Sequence, residues 1–260
     1  MAETDLGLLL APMLAGLLVL STHVPLGMEV LRRGIIFIDL AIAQVAALGV
    51  MLAHLLELQG ADDAHGYQVQ LIALTAAAAG ALLLTWTEKR WPEIQEALIG
   101  LLFVFAASLG IVLLAGNPHG GEHLRDLLAG QILWVGLPQL LPVAGLYALI
   151  LLLWLGLGRR LPRRAFYLLF ALTVTVSVQL VGVFLVFASL IAPAVGARAL
   201  PLKHRLGLPL AYAIGGLGYA LGLLASVFYD LPAGATIVCT LCLFACSCLF
   251  LTTLTKGKER

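Results

Sequence analysis

The run from Ala165 to Ala197, AFYLLFALTVTVSVQLVGVFLVFASLIAPAVGA, decides the architecture of this chain. It holds 33 residues and no charge. As one helix it would extend about 50 Å at 1.5 Å per residue, against a bilayer core of about 30 Å. Arg159, Arg160, Arg163 and Arg164 precede it, and Arg198, Lys203 and Arg205 follow it. Basic residues flanking membrane spans collect on the cytoplasmic side, so the run must enter the bilayer and return. The break is expected near Gln179–Gly182, with Pro193 disturbing the return leg. Irregular backbone at membrane depth is tolerated only where it is buried in protein or lines a cavity. The run is therefore either a pathway wall or a kinked packing helix.

Working outward, other apolar runs read as spans: Leu6–Leu31, Ile35–Leu56, Val69–Trp86, Ala97–Ala115, Leu137–Leu157, Leu206–Phe228 and Ala235–Leu254. Leu124–Val135 is too short to cross and reads as an interfacial or re-entrant piece. The chain is 62% hydrophobic and 11% charged, whereas soluble domains carry about 25% charged residues. The expected fold is therefore all-α, a polytopic transmembrane bundle of about 8–9 helices with a broken or re-entrant region around 165–200. Residues 1–260 read as a single transmembrane domain. Small-residue runs such as Ala76–Ala81 and Gly215/Gly216/Gly218/Gly222 suit close helix contacts.

Of the 15 lysines and arginines, all but Arg125 fall in alternate breaks or at the carboxyl terminus. The positive-inside rule makes those breaks cytoplasmic, with the amino terminus outside and the carboxyl terminus inside. The first segment does not read as a cleaved signal peptide, because Met1–Asp5 is acidic and the apolar run continues toward a second span. A net charge of +1 argues against nucleic acid as a partner.

Ionisable residues inside the membrane are costly and are functional candidates by default. His23 lies nine residues before Arg32, about 13 Å in from the cytoplasmic face, and Asp39 lies six past Arg33, about 9 Å deep. Neighbouring antiparallel helices at similar depth put the two within reach of each other. A carboxylate and an imidazole suit a divalent cation such as zinc, and manganese less well. They equally suit a proton relay, or a hydrogen-bonded pair that merely locks two helices. Gln44 offers a neutral oxygen nearer the midplane. The outer breaks hold Asp62, Asp63 and His65, and His119, Glu122 and His123, which either concentrate cations at an entrance or are ordinary solvated loop residues. Cys239, Cys242, Cys246 and Cys248 lie in the last apolar run with no histidine or carboxylate near them in it, and read as small helix residues rather than a metal site. No G-x-x-x-x-G-K-[ST], H-E-x-x-H or G-x-S-x-G sequence occurs, so the chain is not expected to be an enzyme, and any ATP hydrolysis belongs to separate chains.

Three stretches resemble the permeases of bacterial zinc, manganese and iron ABC importers: VPLGMEVLRRGIIFID (24–39), QLVGVFLVFASLIAPAVGAR (179–198) and FYDLPAG (228–234). The second is similar to the family pattern VGxLLVxxLLIxPAATAR. The likeness in hydropathy order extends over nearly the whole chain. The resemblance implies a permease in the bacterial inner membrane, a homodimeric or paired permease on two cytoplasmic ATPase subunits, and an extracytoplasmic metal-binding protein that delivers the ion. It implies a transported divalent metal ion, zinc first and manganese or iron next, and no covalently bound cofactor. It also implies that Asp39 lines the ion route. The family histidine one turn later corresponds, with one inserted residue, to Gln44, and His23 is then the candidate to supply the missing imidazole. The family's extended cytoplasmic segment after the fifth span shrinks here to GRRLPRR (158–164), so ATPase docking falls to 199–208 or 87–96, or coupling to ATP is absent. The competing readings are a proton-coupled secondary carrier that relays protons through His23 and Asp39, and a membrane scaffold that transports nothing.

Overall fold

An apolar segment in lipid satisfies its N–H and C=O groups only within itself, and almost every apolar run of this chain is helical. The computed structural model describes residues 2–55, 67–114, 128, 130, 132–157, 162–200 and 204–257. Among them stand nine α-helices and no strand: α1 (Ala2–Arg33), α2 (Ile38–Leu55), α3 (Tyr67–Arg90), α4 (Gln95–Leu114), α5 (Leu137–Leu157), α6 (Arg163–Val181), α7 (Val183–Ala199), α8 (His204–Tyr229) and α9 (Ala233–Gly257). Seven helices are long and apolar enough to cross a membrane; Ile38–Ala53 and Val183–Ala199 are shorter apolar helices. Of the short run 124–135, the described part contains a 3-10 turn at Ile132–Trp134.

The long run breaks where its length demands. Gly182, between α6 and α7, has φ 85° and ψ 161°, a conformation essentially confined to glycine. Gly130 approaches the same point so closely that a Cβ on it would overlap the carbonyl oxygen of Val181. Pro193, expected to disturb the return leg, lies inside α7, which continues through it. The ring costs one backbone hydrogen bond, and the buried residues Leu190, Ala192, Ala194 and Ala197 hold the helix by packing.

The chain divides into two compact units. The first comprises Met1–Arg33, Ala129–Leu149 and Leu180–Arg260. In it α1 packs on α7 and α8, and α9 packs on the same two helices. Tyr212 donates its hydroxyl to the Ser21 carbonyl at 2.9 Å, and Arg198 donates to the Leu31 carbonyl at 3.2 Å, which satisfies one of the orphan acceptors at the end of α1. The α8–α9 turn is closed by Asp230 at φ 51°, with Leu231 N–H on the Ser226 carbonyl at 2.9 Å and the Ser226 hydroxyl on the Leu231 carbonyl at 2.6 Å.

The second unit comprises Gly34–Leu128 and Ile150–Gln179. Here α2 packs on α3 and α4. The small residues of α3, with Ala73, Ala77, Gly80 and Ala81 buried, let α2 approach closely, as the sequence run suggested. The turn from α3 to α4 is built from buried polar groups. Trp91 N–H bonds the Thr87 carbonyl at 2.7 Å, Thr87 donates to the Gln95 side-chain oxygen at 3.0 Å, and the Gln95 amide donates to the Leu84 carbonyl at 3.0 Å. Arg163 at the start of α6 reaches Glu88 at 3.6 Å. Trp154 and Phe166 join α5 to α6 with ring centroids 5.8 Å apart.

Candidate functional site

Asp39 stands in the first turn of α2, where the helix macrodipole favours negative charge. The residue is 1% exposed, and its Oδ1 is buried with no hydrogen-bond partner among the described residues. Burying a carboxylate with an unsatisfied oxygen costs free energy that packing alone does not return. Such a group is kept for its chemistry or tolerated as strain, and an oxygen with open lone pairs in an apolar surround is a ready cation ligand.

Gln44 is also buried, five residues further along α2. At 100° per residue the two side chains leave the helix about 140° apart, and about 7.5 Å apart along the axis. They stand on different faces. The residue one turn beyond Asp39, on the same face, is the buried Ala43, which carries no ligand atom.

His23 stands in the first unit, on α1, and is fully buried. Its Nδ1 lies 2.9 Å from the Val19 carbonyl oxygen and 3.2 Å from the Thr22 hydroxyl. A carbonyl can only accept, so Nδ1 carries the hydrogen, and the lone pair of the uncharged ring is on Nε2. Nε2 is buried with no hydrogen-bond partner among the described residues. Fixing one ring nitrogen on a backbone carbonyl is the usual way a metal-ligating histidine is held in its tautomer.

Asp62, Asp63, His65, His119, Glu122 and His123 lie outside the described residues, as do Gly158–Leu161 and Lys203 of the basic breaks. Among the described residues no group of three or more His, Cys, Asp or Glu side chains is arranged to hold a metal ion. Cys239, Cys242 and Cys246 are exposed free thiols on α9 and Cys248 is partly covered.

The sequence reading passed over Glu96, the second residue of α4. One carboxylate oxygen, Oε1, accepts the Phe37 N–H at 3.2 Å, and the other, Oε2, is buried without a hydrogen-bond partner among the described residues. The available signal was an acid at the mouth of an apolar run, hidden by the charged stretch EKRWPEIQE in which it falls (88–96).

Comparison with known proteins adds an independent line. A model of the family described as the ABC 3 transport family matches residues 5–166 and 155–252. The manganese transport system membrane protein MntC of Halalkalibacterium halodurans is 30% identical over 234 residues, with 82% of this chain and 76% of that protein covered. PsaBC from Streptococcus pneumoniae, solved in complex with Fab, superposes with a TM-score of 0.75 at 22% identity, covering 95% of each chain. A metal-chelate type ABC transporter in an inward-facing conformation gives 0.68 at 17% identity, covering 95% of this chain and 85% of that one. At these identities the two solved structures speak to the fold.

Proposed function

This chain belongs to the ABC 3 transport family, and on that premise we propose that it is the membrane-spanning permease of an ATP-driven importer of a divalent metal ion. The observation that carries the reading is Asp39, a buried carboxylate with an open oxygen at the start of a membrane helix. In this reading residues 1–260 act as a single permease domain in the bacterial inner membrane, amino terminus outside. It pairs with a second copy, two cytoplasmic ATPase subunits and an extracytoplasmic metal-binding protein.

Zinc is the first candidate, because the open Nε2 of His23 is a borderline nitrogen donor that suits zinc better than manganese. Manganese is the reading favoured by the relative, which is named as a manganese transport protein. Asp39 is the ligand common to both, with Gln44 further along the route and the acids and histidines of 62–65 and 119–123 at its entrance. Energy for import comes from the ATPase chains, since this chain has no nucleotide cradle. The α3–α4 turn and 199–208 are the elements left to dock them.

The deciding experiment is uptake of zinc and manganese by cells carrying the wild type or Asp39→Ala at matched membrane abundance. Uptake should fall at least about tenfold in the variant, the scale on which losing a metal-site partner is felt. Undiminished uptake would remove the metal route, and wild-type uptake that survives depletion of ATP would remove the ATPase partner.

A further inference from the structure

We infer that Glu96 is a positioning residue for Asp39, holding the first turn of α2 in the rotational phase that aims the Asp39 carboxylate. The inference rests on the reading of Asp39 as a cation ligand. Between α1 and α2 the chain has only residues 34–37, with Gly34 at φ 71° and no atom within 4 Å of where its Cβ would stand. The connection is therefore short, turned by a glycine, and not packed at that glycine.

Phe37 begins α2 in the hydrogen-bond sense, because its carbonyl accepts the Ala41 N–H at 3.2 Å. Its own N–H is one of the donors that a helix start leaves without an internal partner. The Phe37 ring is 47% exposed and cannot anchor the turn by burial. The buried Ile35 and Ile38 seat the turn on either side, with the Ile38 N–H on the Ile35 carbonyl at 3.3 Å, and the Glu96 carboxylate, at 3.2 Å, is what takes up the Phe37 N–H. Glu96 in turn starts from fixed ground, since its neighbour Gln95 is tied to Thr87 and to the Leu84 carbonyl.

Asp39 follows Phe37 by two residues inside a rigid helix. A change of phase at Phe37 is passed undiminished to it, at about 100° for each residue of slip. A half-buried carboxylate spent on the backbone N–H groups of Phe37 and Ile36, with the Oε2 atom itself buried and open, is a costly way to hold a turn. That cost is understandable where the turn carries a ligand.

The test is uptake kinetics for zinc and for manganese salts with the wild type, Glu96→Gln, Glu96→Ala and Asp39→Ala at matched abundance. Glu96→Ala should raise the half-saturating metal concentration about tenfold, the low end of what losing an outer partner costs a metal site. The maximal rate should stay within about twofold, as for a loss felt in binding. Glu96→Gln keeps the acceptor oxygen and should return the half-saturating concentration to within about threefold of wild type, because a neutral hydrogen bond retains most of the orientation. Amide exchange over 35–42 should quicken in Glu96→Ala while 97–114 is unchanged, a readout that also shows α4 to be folded. Three results overturn the inference: no change in half-saturation or exchange in Glu96→Ala, a Glu96→Gln as defective as the alanine, or a defect confined to the maximal rate. A normal Asp39→Ala would instead overturn the reading of Asp39 itself.

Discussion

Gly27 of α1 lies against the backbone of Leu190 in α7, so close that a Cβ on the glycine would overlap the Leu190 carbonyl oxygen. A backbone atom cannot swing aside as a flexible side chain can. Gly27→Ala should therefore push α1 off α7 and cost about 1–3 kcal/mol, as overpacking of a tight contact does. Gly216 is the control: nothing stands within 4 Å of its Cβ position, and Gly216→Ala should be neutral or gain about 0.5–1 kcal/mol of helix propensity. Thermal unfolding of the two variants in one detergent checks the pair, and equal melting temperatures would contradict the packing argument.

Asp39→Asn separates stability from transport. The substitution replaces a buried carboxyl, one oxygen of which is unsatisfied, with an amide that cannot ionise, so it adds no charge-burial cost and removes any that the carboxyl bears. The melting temperature should hold or rise, by about 2–4 °C for each kcal/mol gained in a chain of this size. Metal uptake should fall. A variant that melts earlier than the wild type would mean that Asp39 is a structural anchor whose partner lies outside the described residues.

The Ser189–Tyr219 pair gives an asymmetric prediction. The two hydroxyls are 2.7 Å apart and buried, and Ser189 also reaches the Leu185 carbonyl at 2.6 Å. With its hydrogen on Leu185, Ser189 accepts from Tyr219. Tyr219→Phe then leaves Ser189 with a partner and should cost about 0.5–1.5 kcal/mol, the net worth of one hydrogen bond. Ser189→Ala strands the buried tyrosine hydroxyl and should cost about 1–3 kcal/mol, the penalty for an unsatisfied group. The thermal stabilities of the two single variants measure the difference, and the reverse order of costs would refute the donor assignment.

Much of this fold was legible because lipid leaves few options. Arg32, Arg33, Lys89, Arg90 and the later basic clusters mark the ends of spans without any knowledge of contacts, and the run 165–197 is simply too long to cross once. Gly182 was in the expected window because glycine is the residue that a sharp break requires. Pro193 was legible as a disturbance of the return leg, but that buried neighbours carry α7 through it was not. At the site, Asp39 and His23 were visible as polar residues in apolar runs. Glu96 was not, because its role depends on the backbone N–H of a residue 59 positions away, and an N–H has no letter in the sequence. The tautomer of His23 was equally hidden, being set by the Val19 carbonyl.

That tautomer leads to a prediction about which ion is carried. With Nδ1 held on Val19, Nε2 offers a buried lone pair with no hydrogen-bond partner among the described residues. Imidazole nitrogen binds zinc more strongly than manganese, whereas a carboxylate serves both. On the reading of His23 as a ligand, His23→Ala should lower zinc uptake far more than manganese uptake, and the zinc-to-manganese ratio should drop about tenfold or more, as when a partner of a metal site is lost. Competition between the two ions in cells with matched permease abundance reads that ratio directly. An unchanged ratio with both rates intact would leave His23 as a residue that only packs α1, and a uniform loss of both would point to damage of the helix rather than of a ligand.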